Sequence, residues 1–457
     1  MSIADSGQTA TTAADRIPLS LQQEFICLFD QGDEDAPFGP RYHIAEGWRV
    51  SGQVDVEALR RALLDVITRH EALRTIIVRG DGDKYQKIYP PSPPELLVRD
   101  FPVTGMSRNE QAESLIRELE AGTIDPGRTP FLRAVLGRFD DQDAVLVLMT
   151  HHIATDGWSM RVIIRDLANR YAAQKGYSIP ELPRAPQYQE YAIWQKEVSG
   201  AEAAGSREYW QRMLQDARIS AIPTDFLRSA GIPQSTAAHR FAIPADVISS
   251  ASRLAGSTRS TPFMVLLAAY ALVVHKRTGS TDVIVATFTP GRGGRRFQDS
   301  VGSFFNFIPL RTDIAGCTTF REVLQRTRRT CLDAYSHDIP SIHIFAEAPE
   351  LMVPAMSDGA APAVFQVFPD PVMLGDDVPG DLRYAEITRR PVSQRRTSAT
   401  PDGVLWTLST DPSGDVIGTT VYKRNLFRET TISDMAAEFQ QVLRSAVTSP
   451  DAPLELG

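Results

Sequence analysis

The segment Val145-Leu-Val-Leu-Met-Thr-His151-His152-Ile-Ala-Thr-Asp156-Gly157-Trp158-Ser159 gathers the residue types that do acyl chemistry. Its apolar run predicts a buried strand that ends in two imidazoles, turns at Asp156-Gly157 and enters a helix. Unperturbed imidazole titrates near ~6.5, close enough to neutral pH to accept or release a proton there. Alternation along a strand points His151 and His152 to opposite sides, so only one can face a given cleft and the other packs inside. Asp156, just before a glycine in a turn, is placed to fix the loop with its carboxylate. Gly157 falls near the helix N-terminus, where unpaired backbone N–H groups and the helix dipole favour a developing negative charge. An imidazole beside an oxyanion site suits acyl transfer. The same residues also read as a polar strand end followed by an ordinary Asp-Gly turn, and geometry alone leaves both readings open.

The flanking pattern supplies elements to position this segment. Val56, Leu59, Leu63, Val66 and Ile67 share one helical face, and 73–78 reads as a strand. A helix is predicted over 109–121, stopped by Gly122, followed by strands over 131–139 and 144–150 joined at an Asp-rich turn. The next helix, 159–175, carries Met160, Ile163, Ile164, Leu167 and Tyr171 on one face. The proline-bearing stretch 179–186 reads as the link between two halves, 1–178 and 179–457. Beyond it come helical material over 191–214, helices over 245–254 and 263–276, and a strand over 283–288. Strands over 404–408 and 416–422 and a terminal helix over 433–447 follow, with 378–401 read as a long loop. The similar order in both halves predicts two related α/β layers sharing a cleft.

Composition narrows the function classes. The 457 residues include 48 Lys+Arg and 56 Asp+Glu, a net charge of −8. That balance argues against general nucleic-acid binding, which needs a basic surface. No run reaches the ~18 apolar residues of a membrane helix, and no signal peptide opens the chain, so no membrane partner is expected. The longest apolar run, 263–274, ends at His275-Lys276-Arg277 and reads as a buried helix. Cys27, Cys317 and Cys331 form no CxxC, which argues against a disulfide framework or zinc site and fits a reducing cytoplasm. No P-loop, GxGxxG or HExxH is present, so neither a nucleotide nor a metal nor any other intrinsically bound cofactor is expected.

His151-His152-x-x-x-Asp156-Gly157-Trp-Ser resembles the signature of the condensation-domain superfamily of nonribosomal peptide synthesis, whose wider kin include chloramphenicol acetyltransferase-like enzymes. Other segments resemble the family's motifs in order: Ile17-Pro-Leu-Ser-Leu-Gln-Gln23, Arg69-His-Glu-Ala-Leu-Arg-Thr75, Tyr188-Gln-Glu-Tyr-Ala-Ile-Trp194 and Val301-Gly-Ser-Phe-Phe-Asn-Phe307. The resemblance implies an α/β fold of two chloramphenicol acetyltransferase-like subdomains in a V, with the active site at their junction. It implies a donor acyl thioester on the phosphopantetheine arm of an acyl or peptidyl carrier protein, meeting an acceptor nucleophile at the second histidine. By carry-over His152 is catalytic, His151 mainly structural, and Asp156 pairs with Arg292 of Gly291-Arg292 to hold the loop. Gly157 would give a backbone donor to the oxyanion, and Asn306 and Ser303 would line the substrate site. Trp158 and Trp194 read as core anchors.

Departures from the pattern bear on substrate. Ser336-His-Asp-Ile-Pro-Ser341 keeps part of the sixth motif, Ala363-Val-Phe-Gln366 only the tail of the seventh, and Phe307 replaces a usual small polar residue. With a Met start and no room for further domains, these features point to a free-standing condensation enzyme, with a domain excised from a larger synthetase as the alternative, that forms an ester with a small-molecule alcohol in preference to an amide with an amine. Pathways decorating enediyne-type natural products use such enzymes. Alternatives are an acyl-coenzyme A-dependent acyltransferase, a non-catalytic carrier-docking module and an epimerase. The runs Gly291–Arg296, Arg389-Arg390 and Arg395-Arg396 read as solvated loops, the last two also as contacts to the pantetheine phosphate or an acidic carrier. His337 reads as a satisfied loop histidine or as a group facing the donor tunnel.

Overall fold

The histidine-bearing strand Asp143–His151 runs inside a six-stranded sheet ordered Met373–Leu374, Arg383–Glu386, His43–Ser51, Asp143–His151, Leu132–Asp140, Glu95–Asp100. The computed structural model describes residues 16–30, 32, 37–80, 84–198, 204–292, 294–368, 373–374, 380–388, 394–396 and 403–454. Alternation along the strand explains its unbroken apolar sequence. Leu146 and Leu148 face a core shared with helices Val56–Arg69 and Gly157–Gln174. Val145, Val147 and Met149 face a second core shared with helix Arg108–Glu120. With both faces covered, no polar position is tolerated until the strand end.

The helix that leaves the histidine turn is anchored far from its N-terminus. Asp166, fully buried, accepts from Arg69 Nε at 2.8 Å and lies 2.9 Å from His70 Nε2. Burial alone would raise this carboxyl, but His70, Arg165 and Arg69 together hold it down at about 2. The Arg69-His70 pair at the end of one helix thereby fixes the other.

The second sheet runs Asn306–Asp313, Asp282–Thr289, Ala360–Phe368, Val404–Thr410, Val416–Lys423, Thr236–Ile243, Gln394–Arg396, with Ala221–Pro223 also paired to Ala360–Phe368. Helix Pro262–Thr278 packs inside it, buried at every position from Met264 to His275. Its sequence specifies both ends. Thr261 caps the N-terminus, Pro262 takes the first turn, and Gly279 closes the C-terminus at φ 71° after three basic residues.

Two expectations change. The stretch 378–401 is not all loop: Arg383–Glu386 pairs with His43–Ser51 and Gln394–Arg396 with Thr236–Ile243. Of the arginines there, Arg389 and Arg390 lie outside the described residues, and Arg395 and Arg396 sit in the strand at the second sheet's edge. The division at 178/179 is also crossed. Tyr188, Tyr191, Phe297, Phe304, Leu382 and Tyr384 belong to the core of the first half. Leu382 and Tyr384 arrive with the strand Arg383–Glu386, which covers what would otherwise be an open edge of His43–Ser51.

Gly302 marks the tightest of these crossings. A Cβ there would lie 2.0 Å from Tyr188 Cδ2. The Tyr188 hydroxyl is tied to Ser20 Oγ at 2.8 Å and donates to Ser303 O at 2.7 Å, so the ring has nowhere to move. Gly302→Ala is expected to cost about 1–3 kcal/mol by overpacking, read as a lower urea midpoint with an unchanged m-value.

Candidate active site

The turn after the strand is built by its own threonines. Thr155 Oγ1 lies 2.6 Å from Thr150 Oγ1 and 3.2 Å from His151 O, which folds the chain back on itself. That brings Thr155 O to 2.8 Å from His152 Nδ1. A carbonyl oxygen only accepts, so Nδ1 carries the hydrogen and Nε2 keeps its lone pair. The backbone N–H of His152 donates to Tyr42 O at 2.9 Å. The Tyr42 ring stacks on the imidazole at 4.8 Å, and the Phe305 ring meets it edge-on at 5.4 Å. His152 remains half-buried. Desolvation lowers its pKa below 6.5, opposed by its backbone hydrogen bonds and by Asp156. The ring is therefore neutral at pH 7, with Nε2 ready to accept a proton.

His151 is used differently. Its Nε2 donates to Gly39 O at 3.0 Å, its Nδ1 accepts from Ile153 N at 3.3 Å, and it is fully buried. Burial pushes its pKa down to about 3. Between pH 6.5 and 3 the unfolded chain takes up a proton at this position that the folded chain refuses, so stability falls as pH falls through that window. His151→Ala is expected to cost about 2–5 kcal/mol, from a cavity and two orphaned backbone groups. Denaturant titration should also show a shallower loss of stability on acidification than in the parent.

Asp156 caps helix Gly157–Gln174. Its Oδ1 accepts from Ser159 N and Ser159 Oγ, each at 2.7 Å, and from Arg292 Nη2 at 2.8 Å, while Oδ2 accepts from Phe304 N at 3.2 Å. Arg292 further donates to Phe297 O and Ser300 O at 3.1 and 2.6 Å and lies over the Phe304 ring at 4.1 Å. Gly157 is the first helical residue, so its N–H has no acceptor inside the helix. A Cβ on Gly157 would come within 3.0 Å of the Phe368 ring, which reaches the turn from the second sheet.

Two expected substrate contacts are placed otherwise. Asn306 is 2% exposed and its amide is fully used. Its Nδ2 donates to Asp338 Oδ1 and Ile339 O, each at 2.7 Å, and its Oδ1 accepts from Ser341 N and Ser341 Oγ at 2.8 and 2.7 Å. Ser303 is fully buried beneath Tyr188. Asn306 holds the junction from within through its amide, and Ser303 through its backbone carbonyl, which accepts from Tyr188. His337 takes the satisfied reading: Nδ1 lies 2.8 Å from Asp333 O and its ring stacks on Tyr209 at 4.1 Å. Trp158 and Trp194 pack against the first core as partly buried residues. Sequence reasoning did not single out Tyr42, Thr155, Phe305 or Phe368. The first of these lies more than a hundred residues before the histidines and carries no local signal.

Among the described residues no group of three or more His, Cys, Asp or Glu could hold a metal ion. No single described helix is long and apolar enough to cross a membrane.

The Condensation domain family model matches residues 13–344. The chain belongs to the condensation-domain family. A linear gramicidin synthase polypeptide of Brevibacillus parabrevis is 31% identical over 96% of this chain, and the chain spans only 6% of that relative's length. The dimodular nonribosomal peptide synthase of Bacillus subtilis is 31% identical over 99% of this chain, which spans 19% of it. Among solved structures, the SgcC5 protein of Streptomyces globisporus, in complex with (R)-(-)-1-(2-naphthyl)-1,2-ethanediol and sucrose, is 46% identical, with TM-score 0.91 over 96% of this chain and 100% of that one. The X-domain from teicoplanin biosynthesis is 25% identical with TM-score 0.73, covering 97% of this chain and 98% of that one. The condensation fold is the expected α/β pair of chloramphenicol acetyltransferase-like subdomains. Membership gives the chain a condensation role, the transfer of acyl or peptidyl groups in natural-product synthesis. Condensation domains work on substrates bound to carrier proteins.

Proposed function

We propose that this condensation domain transfers an acyl or aminoacyl group from the phosphopantetheine thioester of a carrier protein to the hydroxyl of a small soluble alcohol. The observation that carries the reading is the 2.8 Å hydrogen bond of His152 Nδ1 to Thr155 O, which leaves Nε2 unprotonated on a half-buried ring. An amine attacks with a lone pair it already has, whereas an alcohol must lose its proton as the new bond forms, so an alcohol gains most from a fixed base.

In the proposed step Nε2 accepts the hydroxyl proton as the oxygen attacks the thioester carbonyl. The carbonyl oxygen becomes an oxyanion beside the backbone N–H of Gly157, where the helix N-terminus stabilises it. Collapse breaks the C–S bond, and the leaving thiolate takes the proton from the imidazolium. The carrier thioester and the alcohol thus become an ester and a free carrier thiol. Asp156 and Arg292 act as positioning residues, since they hold the helix N-terminus and touch neither reactant. The diol in the SgcC5 complex supports an alcohol acceptor over an amine.

The test mixes the full chain with an acyl-loaded carrier protein and panels of diols and amines, followed by intact mass of the carrier and product analysis. Carrier unloading with ester formation is the expected result. Amide as the sole product overturns the alcohol assignment, and equal rates with the acyl-coenzyme A thioester overturn the carrier assignment.

A further inference from the structure

A base that takes a proton from an alcohol serves water equally well. Water at a thioester carbonyl gives the free acid and the carrier thiol, and the donor is lost. A site that holds a loaded donor until an acceptor arrives therefore needs a cover over the carbonyl position. The second half places a side chain there, Phe368.

Phe368 ends the strand Ala360–Phe368, where it registers with Ser409. Phe365 and Val367 of this strand pack on the second core. Alternation turns Gln366 and Phe368 to the opposite face. Gln366 Nε2 donates to Thr407 Oγ1 at 2.9 Å and ties that face to the neighbouring strand. The Phe368 ring reaches Gly157 of the other half. Measured from where a Cβ on Gly157 would stand, its Cε1, Cζ and Cδ1 lie at 3.0, 3.5 and 3.8 Å. In a helix the Cα–Cβ direction tilts toward the N-terminus. The ring thus sits on the side of the turn to which the Gly157 N–H, first in its helix, points. Phe368 is 40% exposed and, among the described residues, joins none of the apolar cores. Gly157 is itself partly open. An apolar ring and a helix-end N–H therefore border the same accessible space.

A phenyl face offers water no hydrogen bond, so water beside it is poorly held. Fewer waters around the N–H also strengthen its hydrogen bond to a developing oxyanion. Resting on the reading of His152 as the base and Gly157 as the oxyanion donor, we infer that Phe368 is a specificity-determining residue that shields the donor carbonyl from water and so sets the choice between acceptor and water as nucleophile. In the reaction it suppresses, a water oxygen attacks the thioester carbonyl and the C–S bond breaks. The acid keeps the water oxygen, and the leaving thiolate takes a proton that the water gave up.

The test mixes the full chain with an acyl-loaded carrier protein in heavy-oxygen water, with and without 1-(2-naphthyl)-1,2-ethanediol as acceptor probe. It measures labelled free acid above the enzyme-free background together with the condensation product. Phe368→Ala is expected to raise the acid-to-product ratio, and acid release without acceptor, about tenfold or more, at a melting temperature close to the parent's. Phe368→Leu, which keeps an apolar cover, should stay within about threefold of the parent. Unchanged acid release in Phe368→Ala, or an equal loss of acid and product, overturns the inference. The acceptor-free arm keeps that outcome apart from a failure of the alcohol assignment. Adding His152→Ala to Phe368→Ala separates the rest. Acid release that falls in the pair upholds both readings, and acid release that persists upholds the shield and overturns the base.

Discussion

Replacing His152 with alanine is expected to lower turnover of a carrier-loaded donor by about 100- to 10,000-fold, the usual contribution of a positioned acid/base group. The substitution removes the Nε2 lone pair and frees Thr155 O on the half-open side of the turn, where water can replace the lost donor. The melting temperature should therefore move much less than for His151→Ala. The pH profile gives a second check. The neutral ring is the active form, and burial sets its pKa below 6.5. kcat/KM should stay level through neutrality and fall only as pH drops below about 6.5. Full turnover in His152→Ala would remove the proton-transfer role.

Arg292→Ala is expected to be the most damaging change away from the reacting atoms. The Arg292 and Asp156 side chains are 4% and 8% exposed and 2.8 Å apart. Removing one partner of such a buried pair leaves an uncompensated charge and costs about 3–5 kcal/mol. The loss has a route to activity, because Asp156 Oδ1 also caps the helix that begins at Gly157. Taking out both charges should cost less than the two single changes added together, since no lone charge is then buried. Strict additivity in chemical denaturation would mean the two groups act independently.

The sequence signals that proved legible are those carried by local physics. The apolar run before His151 marked a buried strand, and the long apolar run closing at His275-Lys276-Arg277 marked the buried helix Pro262–Thr278. The Asp-Gly turn gave the place of the helix start to within two residues, whereas the cap that the Asp156 carboxylate makes on Ser159 N came from the structure. What could not be read depends on distant chain. The direction of the Asn306 amide is set by Asp338, Ile339 and Ser341, more than thirty residues on, so a motif position told where it lies and not what it touches. Likewise the helical material read over 191–214 begins three residues earlier, at Tyr188, and among the described residues it covers Tyr188–Val198 and Ala204–Met213. Arg383–Glu386 read as loop because a strand of four residues is too short to show a period.

That short strand has a consequence for synthesis and for engineering. Arg383 to Glu386 register against Ser51 to Trp48, so the first sheet acquires its outer members only after most of the polypeptide has left the ribosome. Until then the His43–Ser51 backbone offers unmet donors and acceptors to any passing chain. A chimaera that exchanges the first half alone inherits an edge shaped for somebody else's residues 383–386. Swaps that carry this four-residue segment along with the N-terminal portion should give more soluble hybrids than swaps cut at a single point.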